Sequence, residues 1–305
     1  MSNINNMGTI FLSIILEGFP FLIIGAIVSS IIQIFVSDET IAKISAKNKI
    51  AATFIISIIG IVFPVCECGI VPIVRKLVQK GMSVGTAVTF MLAVPIVNPV
   101  VFMSTYYAFI GHEEIAYLRM ILGVVCSILI GTIIDSIATK YPLKEKHIVC
   151  DHEHEHHHHE HIHHHKEGRP KLNELMLDIS EEFYEIGRYF IIGALISSAL
   201  QTFVPRQIVV SIGHGNVSSI IMMMSLAFLL SICSETDAFI ARTFLNQFTN
   251  GSIMAFLIFG PMLDLKNTIM LFGSFKASFV FKLIFVIICI CFIMASLVTT
   301  LMPNV

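Results

Sequence analysis

The chain has 305 residues, of which 55% are hydrophobic and only 13% charged, and its formal net charge is −2 at pH 7. A mean hydropathy of +0.84 lies well above that of soluble proteins. This composition excludes an ordinary soluble domain, and the lack of a basic surplus argues against a nucleic-acid partner.

Long uncharged runs follow one another along the chain, and a membrane span takes ~20 predominantly apolar residues. The runs are Gly18–Ser37, Ile50–Cys66, Gly81–Gly111, Met120–Ile134, Tyr189–Pro205, Gln207–Ser234, Thr243–Leu263 and Leu283–Val305. Only helices and closed barrels satisfy the backbone in lipid, and barrel strands would alternate in polarity. We therefore predict an all-α, multi-pass protein of the cell membrane, with about eight transmembrane helices in contact with the lipid bilayer.

The segment FPVCECGIVP places two thiols and a carboxylate together, namely Cys66, Cys68 and Glu67. Pro64 and Pro72 interrupt helical hydrogen bonding on either side, which predicts a broken helix inside the membrane. Unwound backbone is tolerated at that depth where it lines a cavity. Thiolate and carboxylate ligands suit Zn, Cu(I) or a trivalent metalloid. Two packing cysteines beside a helix-end glutamate are the alternative.

Two further segments, AVPIVNPVV and FGPMLDLKN, also predict broken helices because of their prolines. They contain Asn98 and Asp264, which lie 166 residues apart. Ionisable groups inside a span usually face a cavity or one another. Asp264 is therefore predicted to handle protons or cations, with pairing to Lys266 or Arg242 as the structural alternative.

The chain contains an internal repeat. IGAIVSSIIQIFV and IGALISSALQTFV are identical at eight of 13 positions with an offset of 168, and Cys66 falls on Cys233 with an offset of 167. Membrane transporters are often built from such repeats. We expect a first transmembrane repeat at 1–140 and a second, homologous one at 173–305.

The second copy of the cysteine motif reads CSETDAF and contributes Cys233, Glu235 and Asp237. Broken helices at corresponding positions of two halves point to the binding site of a transporter. We therefore predict that the substrate or a coupling ion is bound by Cys66, Glu67, Cys68, Cys233, Glu235, Asp237, Asn98 and Asp264.

A polar connector at 141–172 separates the halves and is too hydrophilic to fold around a core. Between Cys150 and Lys166 it holds ten histidines interspersed with acidic residues, a composition that binds metals such as Zn or Cu. The predicted metal ligands are His152, His154, His156, His157, His158, His159, His161, His163, His164 and His165. The connector is expected to buffer or sense metal; a solvated linker without such a role is the alternative.

Motifs for nucleotide-driven or hydrolytic chemistry are missing from the sequence. It has no G-x-x-x-x-G-K-[ST] segment and no H-E-x-x-H segment. We therefore predict that the protein is not an enzyme. A membrane thiol–disulfide oxidoreductase that cycles Cys66 and Cys68 is the enzymatic alternative.

Taken together, PVCECGIVPIVRKLVQKG, AVPIVNPV, CSETDAF and FGPMLDLKN resemble the motifs of a bacterial predicted-permease family that includes organoarsenical efflux permeases. The resemblance extends over both halves and implies a paired-repeat membrane fold. It also implies export of a trivalent organoarsenical, copper or zinc, as is described for some members. The family's motif positions are carried here by Cys66, Cys68, Gly69, Glu235, Asp237 and Asp264.

These observations predict a secondary permease that exports a thiophilic metal or metalloid by alternating access, coupled to protons. The histidine tract favours a Zn- or Cu-like cation over the alternative substrate, a trivalent organoarsenical. No cofactor is required in this interpretation, and the partners are the lipid bilayer and a small ion. A homo-oligomer or a partner subunit stays open.

Overall fold

The computed structural model describes residues 2–35, 37, 53–54, 56–57, 65–137, 142–143, 171–203, 215–245 and 247–302. The histidine tract with its predicted metal ligands lies outside them. The helices are α1 Ser2–Phe35, α2 Glu67–Gln79, α3 Val84–Val97, α4 Pro99–Ala108, α5 Glu114–Ile137, α6 Lys171–Phe203, α7 Asn216–Leu230, α8 Asp237–Arg242, α9 Asn250–Met262, α10 Leu265–Ser274 and α11 Ala277–Leu301. One isolated bridge pairs Leu143 with Phe275. The predicted all-α class is confirmed.

Several described stretches are long and apolar enough to cross a membrane. Five of them are Ile4–Ile34, Glu114–Ile137, Leu175–Phe203, Asn250–Ser274 and Ala277–Leu301, and a sixth joins α3 to α4, which meet at 42°. The multi-pass prediction is confirmed, but the described residues hold fewer spans than the eight predicted. The run at 50–66 is described at only a few positions, and the run at 207–234 is described from residue 215, where α7 has 15 residues.

Helices α3 and α9 form the centre of the molecule, where they contact each other. Nearly every residue of both is buried. The outer helices α1, α5, α6 and α11 instead expose large apolar side chains, among them Leu16, Ile121, Ile191 and Phe285. Exposed hydrocarbon of this kind suits the lipid environment of a spanning helix.

The two central helices begin in the same way. Ser83 Oγ accepts a hydrogen bond from the Thr86 amide, and Thr249 Oγ1 accepts one from the Ser252 amide, both at 3.3 Å. A hydroxyl at the N-cap satisfies an amide that the first helical turn leaves without a partner. Ser83 and Thr249 are 166 residues apart, the offset predicted for this part of the repeat.

Both central helices also end at a break, as predicted. Asn98 separates α3 from α4, and Leu263 and Asp264 separate α9 from α10. Pro95 and Pro261 lie in the last turns of α3 and α9, where each removes a helical hydrogen bond. The breaks therefore follow these prolines by a few residues and do not fall on them.

The cysteine segments lie at helix ends, a described break in the second half and the described start of α2 in the first. Cys66 is the N-cap residue of α2, and Cys233 lies between α7 and α8, just after Ser231, which adopts a left-handed conformation with φ of 45°. Helix α2 continues through Pro72, although the sequence predicted a weakened turn there. Because Pro72 has no N–H, the carbonyl of Cys68 receives no helical hydrogen bond.

Close helix packing places the cysteine segments at the contact between the two halves of the chain. A Cβ atom on Gly25 of α1 would collide with the backbone of Gly69, so the start of α2 packs directly against α1. Helix α2 also contacts α10, and α8 contacts α4. Each cysteine segment therefore packs against the helix that follows the proline break of the other half.

Candidate functional site

Three of the predicted binding cysteines meet in one cluster. The thiol of Cys66 lies close enough to the thiols of Cys68 and Cys233 to interact with both. All three are free cysteines and are buried. We call them the thiol cluster. Because Cys66 and Cys68 begin α2 and Cys233 precedes α8, the cluster combines residues from both halves of the chain.

Glu67 adds a buried carboxylate to the thiol cluster. Ser234 Oγ donates a hydrogen bond to Glu67 Oε2 at 3.5 Å, which again joins the two cysteine segments. The other oxygen, Oε1, is buried and has no hydrogen-bond partner among the described residues. An ionised carboxylate in this setting costs free energy unless a cation or a proton compensates it. The position therefore suits a group that exchanges protons or contacts a positively charged substrate.

Asp264 has two structural partners on α10. Its Oδ1 accepts a hydrogen bond from the Asn267 amide at 2.6 Å, and its Oδ2 lies 3.6 Å from Lys266 Nζ. Asp264 thus caps the helix and pairs with Lys266, one of the two pairings considered from the sequence. Lys266 also interacts electrostatically with Glu67 and Cys68, so it lies close to the thiol cluster.

Asn98 occupies the matching break in the first half. Its Oδ1 accepts a hydrogen bond from the Val100 amide at 2.9 Å, so that Asn98 caps α4 much as Asp264 caps α10. Both side chains are buried. Capping gives each of them a local structural role, and binding of a transported ion by either residue stays a prediction.

A buried arginine absent from the predicted site holds the second cysteine segment. Arg119 Nη2 donates to Asp237 Oδ2 at 2.7 Å and to the Ser234 carbonyl at 3.3 Å, and its Nη1 donates to Thr105 Oγ1 at 2.7 Å. Arg119 is among the largest fully buried side chains described. The sequence offered one signal for a role of Arg119. It directly precedes the uncharged run that begins at Met120, and an arginine at the edge of a span needs a partner.

Glu235 differs from the other predicted carboxylates because it is only half-buried. It lies within electrostatic range of Arg119 and Lys266. It therefore shares Lys266 with the thiol cluster as a neighbouring charge and keeps some access to solvent.

Across the described ranges, no group of three or more His, Cys, Asp or Glu side chains is arranged to hold a metal ion. The three thiols of the thiol cluster are neighbours but are not arranged as ligands around one point. A soft ion would therefore have to displace thiol protons and draw the sulfur atoms around itself.

Comparison with known proteins places the chain in a family. The model of the ArsP_1 family, described as a predicted permease, matches residues 3–300. The chain belongs to this family. The family resemblance predicted from the motifs is thereby confirmed, and the match includes both cysteine segments of the permease.

Individual relatives cover most of the permease as well. It is 43% identical to the UPF0718 protein YcgR of Bacillus subtilis over 289 residues, 95% of each chain. It is 36% identical over 275 residues, 90% of this chain and 89% of the other, to a Streptococcus mutans protein named as a two-component membrane permease complex subunit. The UPF0718 protein YraQ of Escherichia coli is 20% identical over 129 residues, 42% of this chain and 37% of the other. No solved structure matches the chain.

Family membership and the apolar helices together make the protein a multi-pass permease of the cell membrane.

The permease also has a second buried ion-pair network that the sequence did not predict. Arg75 Nη1 of α2 lies 2.8 Å from Glu185 Oε1 of α6, and Lys76 Nζ lies 3.2 Å from Asp178 and 3.4 Å from Glu182. Sequence spacing alone does not show that the acidic residues of α6 pair with the basic residues of α2.

Proposed function

We propose that this permease exports a thiophilic metal or metalloid ion through the contact between its two halves. The observation that carries the proposal is the thiol cluster, in which three buried thiols from two chain segments are neighbours. Beside them lies a carboxylate oxygen of Glu67 that has no hydrogen-bond partner among the described residues. Thiolate ligands favour Cu(I), Zn and similarly soft ions over Mg or Ca. The ion is the transported substrate and not a resident cofactor.

Binding at the thiol cluster requires an exchange of protons for the substrate. Thiols coordinate as thiolates, so that each coordinating thiol releases its proton as the ion binds. Lys266 supplies a positive charge close to the thiolates that form, and Glu67 supplies a negative charge close to the incoming ion. The buried charges therefore change little in total when an ion replaces protons, which lowers the electrostatic cost of binding.

Alternating access would follow from movement of the two repeats at 1–140 and 173–305 against each other. The contacts of α2 with α10 and of α8 with α4 support this proposal, because both lie between the repeats and adjoin the cysteine segments. Broken helices at matching positions are a recurrent arrangement in secondary transporters. Separation at these contacts would expose the thiol cluster.

Proton coupling would use the acidic residues of the second half. Asp237 is held by Arg119 at 2.7 Å, whereas Asp264 lies 3.6 Å from Lys266. The longer ion pair leaves Asp264 less tightly held by its cation than Asp237. Glu235 is half-buried and could transfer protons between this interior and solvent.

The connector and a partner protein extend the proposal beyond the membrane domain. The histidines from His152 to His165 would buffer Zn or Cu and deliver it to the thiol cluster. A Streptococcus mutans relative is named as a two-component membrane permease complex subunit, which supports a partner subunit for this permease too.

A trivalent organoarsenical is a second candidate substrate. Trivalent arsenic forms bonds to sulfur, and the proximity of three buried thiols favours such a ligand as much as it favours Cu(I). A thiol–disulfide oxidoreductase would also use neighbouring thiols. That alternative predicts no change in intracellular metal, so the same experiment separates it from transport.

The test is a growth panel in a host strain that lacks its own metal exporters. Cells that express the permease are grown with graded Zn, Cu or a trivalent methylarsenical, and their intracellular content is measured by mass spectrometry. One substrate should show raised resistance and lowered content. Cys66→Ser combined with Cys68→Ser should abolish both effects, while Cys289→Ser, on α11 outside the thiol cluster, should preserve them. Full resistance in the double variant at normal membrane expression would refute the proposal.

A further inference from the structure

A second group of sulfur atoms lies apart from the thiol cluster. Cys291 of α11 and Cys126 of α5 lie close enough for their thiols to interact. The Cys291 thiol also lies 3.8 Å from the sulfur atom of Met262, the last residue of α9. We call these three residues the sulfur triad. Three different helices thus bring three sulfur atoms to one place.

The sulfur triad is fully enclosed by protein. Cys126 and Met262 are completely buried, and Cys291 is 2% exposed. The helices that carry it contact one another pairwise, α5 with α11, α9 with α11 and α5 with α9. An ion held here would therefore be surrounded by protein and shielded from water and lipid.

The corresponding position in the first half argues that packing alone does not require sulfur here. Ile96 precedes Met262 by 166 residues and also lies near the end of a central helix. A Cβ atom added to Gly123 of α5 would meet the side chain of Ile96, so α5 packs against hydrocarbon at that position. A branched aliphatic side chain fills the matching space, whereas the second half places a thioether next to two thiols.

We propose that the sulfur triad binds one univalent soft cation, Cu(I) or Ag(I). Thiol, thiolate and thioether are the ligand types that select such ions. One thiol loses its proton to solvent and forms a metal–thiolate bond, while the other thiol and the thioether coordinate as neutral donors, with no change in oxidation state. One thiolate balances one positive charge, which avoids a net charge in a buried site. The inference uses residues outside the thiol cluster and does not depend on the proposed transport.

The test measures Cu(I) binding to the purified full-length protein in detergent under anaerobic conditions. A background variant with Cys66→Ser, Cys68→Ser, Cys150→Ser and Cys233→Ser removes the other thiol segments, and a strong soluble Cu(I) chelator removes copper that is weakly bound by histidines. We expect about one Cu(I) per chain to remain, with sulfur neighbours only in its X-ray absorption spectrum.

Variants of the sulfur triad decide the assignment. In the same background, Cys126→Ser with Cys291→Ser should lose the retained copper, and Met262→Leu should weaken Cu(I) binding at least tenfold. Cys289→Ser, two residues away on α11, should retain the copper. Cys126→Ala and Cys291→Ala singly provide the test if the double variant does not fold. Unchanged copper content after loss of both thiols, a background protein without copper, or a Cys126–Cys291 disulfide in the anaerobic protein would overturn the proposal.

Discussion

The two cysteine segments are each tied to the opposite half by one buried arginine, but their charges are reversed. Helix α2 supplies the cation, because its Arg75 lies 2.8 Å from Glu185 of α6. Helix α8 supplies the carboxylate, because its Asp237 lies 2.7 Å from Arg119 of α5. Arg242 of α8 is the sequence counterpart of Arg75, at an offset of 167, yet it does not perform the same role.

The surroundings of Arg242 show how far the two segments differ. Its guanidinium carbon lies 5.8 Å from the centre of the Phe109 ring, and its Nη1 has no hydrogen-bond partner in the described ranges. Within the part of the chain that the structure covers, no carboxylate lies within ion-pair distance of it. Matching sequence positions therefore do not imply matching electrostatics, and the two segments are joined to the opposite halves by ion pairs of reversed charge.

The largest expected effect tests whether the two segments form one substrate site. Cys233→Ser should abolish resistance to the exported ion as completely as Cys66→Ser does, because thiols from both segments would coordinate the same ion. The measurement is growth with the identified substrate, at equal membrane expression and with Cys289→Ser as the control. Normal resistance in the Cys233→Ser variant would show that only the first segment binds substrate.

The second prediction concerns the Arg119–Asp237 ion pair, whose side chains are only 2% and 4% exposed. Arg119→Leu leaves Asp237 buried without its cation and should reduce the free energy of unfolding by about 3–5 kcal/mol. Arg119→Leu with Asp237→Leu should recover much of this loss, because no unpaired charge remains. Denaturant titration in mixed micelles measures both, with exposed Arg188→Gln as the control. An equally unstable double variant would assign the loss to the hydrogen bonds from Arg119 to Thr105 and to the Ser234 carbonyl.

The sequence predicted the broken helices correctly because the signals are local. Pro95 and Pro261 lack the N–H that a helix needs, and the effect appears within a few residues of each. The sequence also placed Cys66 and Cys233 at matching positions through the repeat. Their thiols are neighbours in the structure, although an offset alone does not establish that.

The ion pairs could not be predicted because they join residues far apart in the chain. Arg119 and Asp237 are separated by 118 residues, and Arg75 and Glu185 by 110. Nothing in the spacing distinguishes Glu185 from Glu17, its repeat counterpart, as the partner of Arg75. That choice depends on the packing of whole helices, which local pattern does not specify.

The third prediction concerns the Arg75–Glu185 pair, in which the carboxylate is 21% exposed. Arg75→Leu should reduce the free energy of unfolding by about 1–3 kcal/mol, less than Arg119→Leu, because water can partly solvate Glu185. The same micelle titration measures the difference, and Arg75→Leu with Glu185→Gln should lie close to the single variant. If Arg75→Leu lowers the free energy of unfolding more than Arg119→Leu does, the ion pair of the first cysteine segment is the more stabilising of the two.

The smallest effect is expected at Arg242. Arg242→Gln removes a guanidinium whose described partner is the face of Phe109, so the free energy of unfolding should change by no more than about 1 kcal/mol. The repeat points to Glu17 as the carboxylate that could pair with Arg242 in another conformation. Glu17 precedes Glu185, the partner of Arg75, by 168 residues and is half-buried in α1.

A double-mutant cycle of Arg242→Gln with Glu17→Gln tests that pairing directly. The coupling energy should be close to zero, whereas the cycle of Arg75→Leu with Glu185→Gln should give a clear favourable coupling because those side chains are 2.8 Å apart. If the coupling energy of Arg242 with Glu17 were as large as that of Arg75 with Glu185, an Arg242–Glu17 ion pair would form in solution. The two cysteine segments would then be held alike, and the difference between them would be a property of one conformation of the permease.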